Sequence, residues 1–135
     1  MVKKNLRFEV LSETLGVCKL SPSITIPQWV YQGEFFSVTK TTEELSLVCS
    51  EEAIPAEVVC EKGWRVLKIV GILDFNLVGI LSVVSSVLAK AGVSIFAIST
   101  YNTDYILVKD KDLKLALKVL GDEGCEILNG GSQNE

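Results

Sequence analysis

At 135 residues the chain has room for one domain or two tightly fused small units, burying roughly two-thirds of its unfolded surface. A 48% hydrophobic and 22% charged composition belongs to a globular protein and excludes disorder. A net charge of −4 argues against nucleic acid or anionic membrane as the main partner, and the lack of any histidine removes the commonest general base and metal ligand together.

The opening Met1-Val2-Lys3-Lys4 leads into no apolar core, because Arg7, Glu9 and Glu13 interrupt it. No export signal is read, and a cytoplasmic chain with reduced thiols is expected. Cys18, Cys49, Cys60 and Cys125 are spaced too widely for a zinc or redox Cys-x-x-Cys motif and read as small buried hydrophobes. Val17-Cys18-Lys19-Leu20 resembles Val66-Leu67-Lys68-Ile69 further on. Likewise Phe36-Ser37-Val38-Thr39 resembles Phe96-Ala97-Ile98-Ser99, 60 residues later, and that spacing runs on through Leu47/Leu107 and Val48/Val108. The two spacings differ by 11 residues, about three helical turns. The first half thus reads as a degenerate copy of the second with most of its first helix lost, residues 21–30 with Pro22 and Pro27 bridging instead. Chance similarity between two hairpins is the alternative. The expected units are residues 1–61 and 62–128, joined through the acidic stretch 51–63, with 129–135 a disordered tail.

The second half is clearer. Residues 66–71 read as a strand running into Ile72-Leu73-Asp74-Phe75-Asn76-Leu77-Val78-Gly79. Leu77, Ile80, Leu81, Val84, Val87, Leu88 and Ala91 then form one helical stripe, with Asn76 as its expected cap and Gly92 as its stop. The uncharged run is too interrupted by Ser82, Ser85, Ser86, Lys90 and Gly92 to supply the about 20 apolar residues of a membrane span. Residues 93–100 and 105–109 read as strands joined through Thr100-Tyr101-Asn102-Thr103-Asp104. Asp110 is the expected cap of a second helix carrying Leu113, Ala116, Leu117 and Leu120, which stops at Gly121 or Gly124 before a last strand at 125–128. This β-α-β-β-α-β order is the ferredoxin-like unit, an α+β class.

Polar groups and open backbone collect at two loops of this apolar block. A helix start has unpaired N–H groups and a positive end, which suit a carboxylate or phosphate. Gly79 either leaves those groups open to a ligand or merely lets the helix pack closely on its sheet. The turn at 100–104 is either an ordinary polar hairpin turn or the other half of a site. In the second case Asp74 and Asp104 supply negative charge for an amino group, and Ser99, Thr100 and Thr103 supply hydroxyls. No metal site is expected, since Asp74, Asp104, Asp110 and Asp112 lack calcium-loop spacing. Hydrolytic triads need histidine, and phosphate-loop motifs are absent. RNA-recognition domains share the element order but carry aromatic and basic central strands, whereas residues 105–109 offer a single ring.

These residues resemble the ACT domains, small regulatory modules that bind amino acids. Asn76-Leu77-Val78-Gly79-Ile80-Leu81 is similar to the family's Asp/Asn-x-Pro-Gly-Ile/Val-Leu signature, with Val78 replacing proline, and Gly92-Val93-Ser94-Ile95 is similar to its following strand. The stretches 71–75 and 94–108 resemble a stand-alone, two-unit subgroup related to the regulatory end of aspartate kinases and to cytosolic arginine sensors. The resemblance implies two ACT units side by side in a sheet of about eight strands, with an amino acid bound where units meet. Carried onto this chain, the ligand-binding positions are Asp74, Asn76, Leu77, Val78, Gly79 and Ile80, then Ser99, Thr100, Tyr101 and Asp104. The first half lacks the helix-opening Asn/Asp-x-x-Gly, so no second equivalent site is expected.

The expected protein is therefore a non-catalytic regulator that binds an amino acid and responds through association or allostery, with no cofactor or metal. A homodimer is expected, with neither nucleic acid nor membrane as partner. The alternative is an assembly module with a vestigial pocket, whose partner is another protein.

Overall fold

The computed structural model describes residues 6–70 and 79–128. Its strands are β1 (Arg7–Leu20), β2 (Ser37–Lys40), β3 (Leu45–Ser50), β4 (Cys60–Val70), β5 (Ile95–Ser99), β6 (Asp104–Lys109) and β7 (Glu126–Leu128). Its helices are α1 (Ile80–Lys90) and α2 (Leu113–Asp122), with 3-10 turns at Gln28–Tyr31, Glu51–Ala53 and Asp110–Asp112. The chain divides into a smaller unit, Glu13–Trp64, and a larger one, Met1–Ser12 with Arg65–Glu135. Two β-α-β-β-α-β units are thus present, and 3-10 turns stand in the smaller one where the larger has helices. Strands β1 and β4 each contain a unit boundary, and the described residues hold seven strands.

In the larger unit the strand order is β7-β1-β4-β6-β5. The first half of β1 stands between β7 and β4, and it pairs with β7 in parallel, Arg7 opposite Glu126 and Glu9 opposite Leu128. Phe8 and Val10 of that segment join Leu67, Ile69, Ile106 and Val108 in one core, which α1 covers with Ile80, Val84 and Leu88 and α2 with Ala116 and Leu120. An isolated helix of 11 residues is marginal in water, so the burial of this stripe is what holds α1. Each such side chain contributes about 1.5–3 kcal/mol of transfer energy.

Both helices end in the same way. Gly92 has φ +80°, its N–H donates to the Ala89 carbonyl, and the Val93 N–H donates to Leu88. Gly124, with φ +99°, repeats the arrangement with Gly121, and Cys125 N–H reaches Leu120. Of the two glycines that the sequence offers as a stop, Gly121 lies inside α2 and Gly124 makes the left-handed turn just beyond its end. The expected cap Asn76 lies outside the described residues, and α1 is described from Ile80 with Gly79 at its N-cap. Asp110 does not cap α2. It opens a 3-10 turn, and its carboxylate accepts from Arg65 at 3.2 Å.

In the smaller unit the order is β2-β3-β1-β4, with Leu20 opposite Leu45 and Lys40 opposite Leu45 across the two antiparallel pairings of β3. Cys18, Val30, Leu45, Leu47, Cys49 and Ile54 make its core. The buried Val30 sits on the first 3-10 turn, and Ile54 follows the second, so short turns fill the place of helices. Gly63 in β4 has φ +86°, and its N–H donates to the Glu51 carboxylate at 3.0 Å.

The hairpins of the two units share a four-residue turn, but the structural spacing is 59 residues, Lys40 matching Ser99 and Leu45 matching Asp104. The 60-residue spacing read from the sequence is therefore one residue off. A one-residue slip exchanges the faces of a strand, and only the 59-residue spacing matches the core residues Leu47 and Cys49 with Ile106 and Val108.

Leu88→Ala is expected to lower the unfolding free energy by about 2–5 kcal/mol through the cavity it leaves. Leu115→Ala, on the exposed side of α2, is expected to change it by less than about 0.5 kcal/mol. Urea denaturation of both variants checks the assignment of the helix faces.

Candidate functional site

The hairpin joining β5 to β6 carries most of the expected site residues that the structure describes. Ser99 and Asp104 face each other as the last strand pair. Between them Thr100 closes the turn, its N–H donating to the Thr103 carbonyl at 2.8 Å and its hydroxyl to the same oxygen at 3.0 Å. The Thr103 N–H returns to Thr100 Oγ1 at 3.3 Å. Tyr101 at the tip projects wholly into solvent, while Asp104 is half-buried.

The Thr103 hydroxyl donates to the Ile69 carbonyl. Ile69 is the second-last residue of β4, so this bond ties the β5–β6 turn to the end of that strand, next in sequence to the other expected loop. The sequence offered Thr103 as a hydroxyl for a ligand; its donor is instead committed to holding the turn in place. A lone threonine in a polar turn carries no sign of that role, because the partner is 34 residues away.

Asp74, Asn76, Leu77 and Val78 lie outside the described residues. Gly79 is described, with φ +86°, and a Cβ built on it would meet no atom of the described residues within 4 Å. Close packing on the described strands is therefore not what requires glycine here. The left-handed backbone is, and among the described residues the space beside the helix start is open. The first N–H groups of any α-helix have no partner within the helix, so this open start can meet an anion. Ile80 points into the core, leaving only its backbone for a ligand.

A separate groove of about 500 Å³ runs between α1 and α2, lined by Ser82, Ser86 and Lys90 on one side and Asp122 on the other, among others. None of the expected site residues lines it. Among the described residues, no group of three or more Cys, Asp or Glu is placed to hold a metal, and no helix is long and apolar enough to cross a membrane.

Cys18, Cys49 and Cys125 are buried, as expected of small hydrophobes, and Cys60 is half-buried. Burial, helped by the neighbouring Cys49 and Cys60, pushes the Cys18 thiol up to about 12, and burial beside Glu123 pushes Cys125 up to about 11. Burial also raises Cys49. Three of these thiols meet in the smaller unit, a convergence that their wide spacing in the chain conceals.

The ACT domain family matches residues 59–122, and an N-terminal domain family matches residues 13–57. The human cytosolic arginine sensor for mTORC1 subunit 1 is 35% identical over 101 residues, covering 67% of this chain and 31% of the sensor. The chain thus spans about a third of the length of the curated relatives it matches. The crystal structure of an Agrobacterium tumefaciens protein is 33% identical, covers 98% of this chain and 99% of its own, and superposes with a TM-score of 0.91. The aspartate kinase of Synechocystis, at 15% identity, shares the fold over 98% of this chain and 28% of its own, with a TM-score of 0.64. The paired units and these matches place the chain in the ACT-domain family.

Thr103→Val removes the hydroxyl from the Ile69 carbonyl and is expected to cost about 0.5–1.5 kcal/mol in urea unfolding. Thr25→Val, on an exposed loop residue, is the matched control and is expected to cost nothing measurable.

Proposed function

We propose that this ACT-domain protein is an amino-acid sensor, regulatory and without catalysis of its own, that signals through ligand-dependent association. The observation that supports it best is the Thr103–Ile69 bond, which gathers the β5–β6 turn and the approach to α1 at one end of the larger unit. The α-carboxylate is assigned to the open start of α1, at Gly79 and the backbone of Ile80, with Asp74, Asn76, Leu77 and Val78 of the preceding loop. The amino group or side chain is assigned to Ser99, Thr100, Tyr101 and Asp104. A helix N-terminus favours the anion, and a half-buried carboxylate favours the cation.

The human relative is named for arginine and for the cytosol. We extend the cytosolic location and the amino-acid class to this chain; an acidic pocket suits a cationic amino acid and also any α-ammonium group. A ligand acts only through its preference between two states, and association of two copies is the equilibrium proposed here. The edge strand β5 ends the larger unit's sheet, and such an edge is readily paired with another chain.

A second reading is an assembly module with a vestigial pocket. It is favoured by Tyr31 and Phe36, exposed on the smaller unit and packed edge-to-face with ring centres 5.2 Å apart. Exposed aromatic pairs are common anchors of protein partners.

Thermal-shift measurements against the twenty amino acids at millimolar concentration separate the two. A ligand at 100 times its Kd stabilises by about 2.7 kcal/mol, a shift of several degrees for a chain of this size. One or two amino acids are expected to respond, and Asp104→Ala is expected to abolish the response while circular dichroism stays unchanged. A flat screen on folded protein, or an undiminished response in Asp104→Ala, transfers the weight to the assembly reading or to a site elsewhere.

A further inference from the structure

We propose that Cys18 and Cys60 form a reversible disulfide site in the smaller unit, a thiol pair held face to face on neighbouring antiparallel strands and closed by a small oxidant such as hydrogen peroxide. The strand register carries the argument. The Lys19 N–H donates to the Val59 carbonyl at 3.0 Å, and further back along β1 the Leu11 carbonyl accepts from Arg65. One strand therefore rises in number as the other falls. With Lys19 bonded to Val59, the next residues, Cys18 and Cys60, are directly opposed at a position without ladder hydrogen bonds. Such opposed residues have Cα atoms about 4.5 Å apart, within the roughly 4.4–6.8 Å that a disulfide spans.

Cys49 is the competing partner, since its thiol also lies beside Cys18. Register decides against it. Cys18 stands opposite Leu47 and Cys49 opposite Gly16, so the two cysteines are diagonal neighbours. Diagonal pairs lie about 7–8 Å apart, too far to bridge without moving the backbone.

Exposure sets the order of events. Cys18 and Cys49 are buried, while Cys60 at the start of β4 is half-buried and meets a small oxidant first. The Cys60 thiolate attacks one oxygen of hydrogen peroxide; an S–O bond forms, the O–O bond breaks, and hydroxide leaves to take up a proton as water. The Cys18 sulfur then attacks the Cys60 sulfur; the S–S bond forms, the S–O bond breaks, and the hydroxyl leaves with the Cys18 proton as a second water. Two thiols lose two electrons in all, and the peroxide is reduced to two waters. The raised pKa of Cys18 accords with this sequence, because a protonated buried thiol is a poor first target. The product ties β1 to β4, and a thiol reductant returns it. In a reducing compartment such a bond is a transient mark of oxidant and not a permanent staple.

The test is to treat the full chain with hydrogen peroxide, block remaining thiols with N-ethylmaleimide in urea, digest without reductant and read the linked peptides by mass spectrometry. The expected result is a fall from four free thiols to two, a Cys18–Cys60 linked peptide lost on dithiothreitol treatment, and a monomeric species on a denaturing non-reducing gel. Cys60→Ser, a change at the less buried position, is expected to abolish the link with circular dichroism unchanged. Cys49→Ala is expected to keep it. Four free thiols after treatment, a link through Cys49, an intermolecular dimer, or over-oxidation of Cys60 with no link would each overturn the proposal.

Discussion

The constraint on which this structure rests is that its central strands are buried on both faces. In β6, Ile106 and Val108 face the helix-covered core, yet Leu107 between them is equally buried. In β4, Val66 is as inaccessible as Leu67 and Ile69 on the opposite alternation. In β3, Val48 is buried between Leu47 and Cys49. Side chains alternate along a strand, so these residues need cover on two sides. An ordinary two-layer unit of helices on one sheet face asks for it on one only. Continuous apolar runs are the sequence consequence. Their register is in turn closely held, because a slip by one residue would exchange two apolar faces of different shape.

The two units answer the same demand with different material. The larger one closes its core with α1 and α2, both ended by glycine in the left-handed region. The smaller one has Pro22 and Pro27 where a helix would need backbone donors, and it fills the space with Val30 and Ile54 carried on single turns. What it forgoes is a helix start of useful length, and with it the row of free N–H groups on which an anion site can be built. The smaller unit keeps the hairpin and has 3-10 turns in place of both helices. It gains a core whose floor is lined by thiols from three strands.

Legibility varied with range. The helical stripe from Ile80 to Ala91, the Gly92 stop, the β5–β6 hairpin and the reduced first helix are consequences of local periodicity and turn chemistry, and they were readable residue by residue. The repeat was visible too, though one residue off. Phe36 and Phe96 look alike as letters, but the ladder is fixed by the four-residue turns that follow them. Asp110 departs from its expected role because an aspartate before a helix is a good cap in isolation, and nothing local announces an arginine 45 residues earlier.

The sequence by itself determined the two helices, the β5–β6 hairpin and the glycine stops of the larger unit, and the family to which the chain belongs. Those properties are set by neighbours a few positions apart. Only the tertiary structure decided that the first strand lends its opening residues to the larger unit, that Thr103 braces the turn against Ile69, and that Cys18, Cys49 and Cys60 share one core. Each of these depends on how strands far apart in the chain are ordered in a sheet. Strand order is chosen by the sum of all the faces that must be buried at once, a quantity that no single stretch of sequence carries.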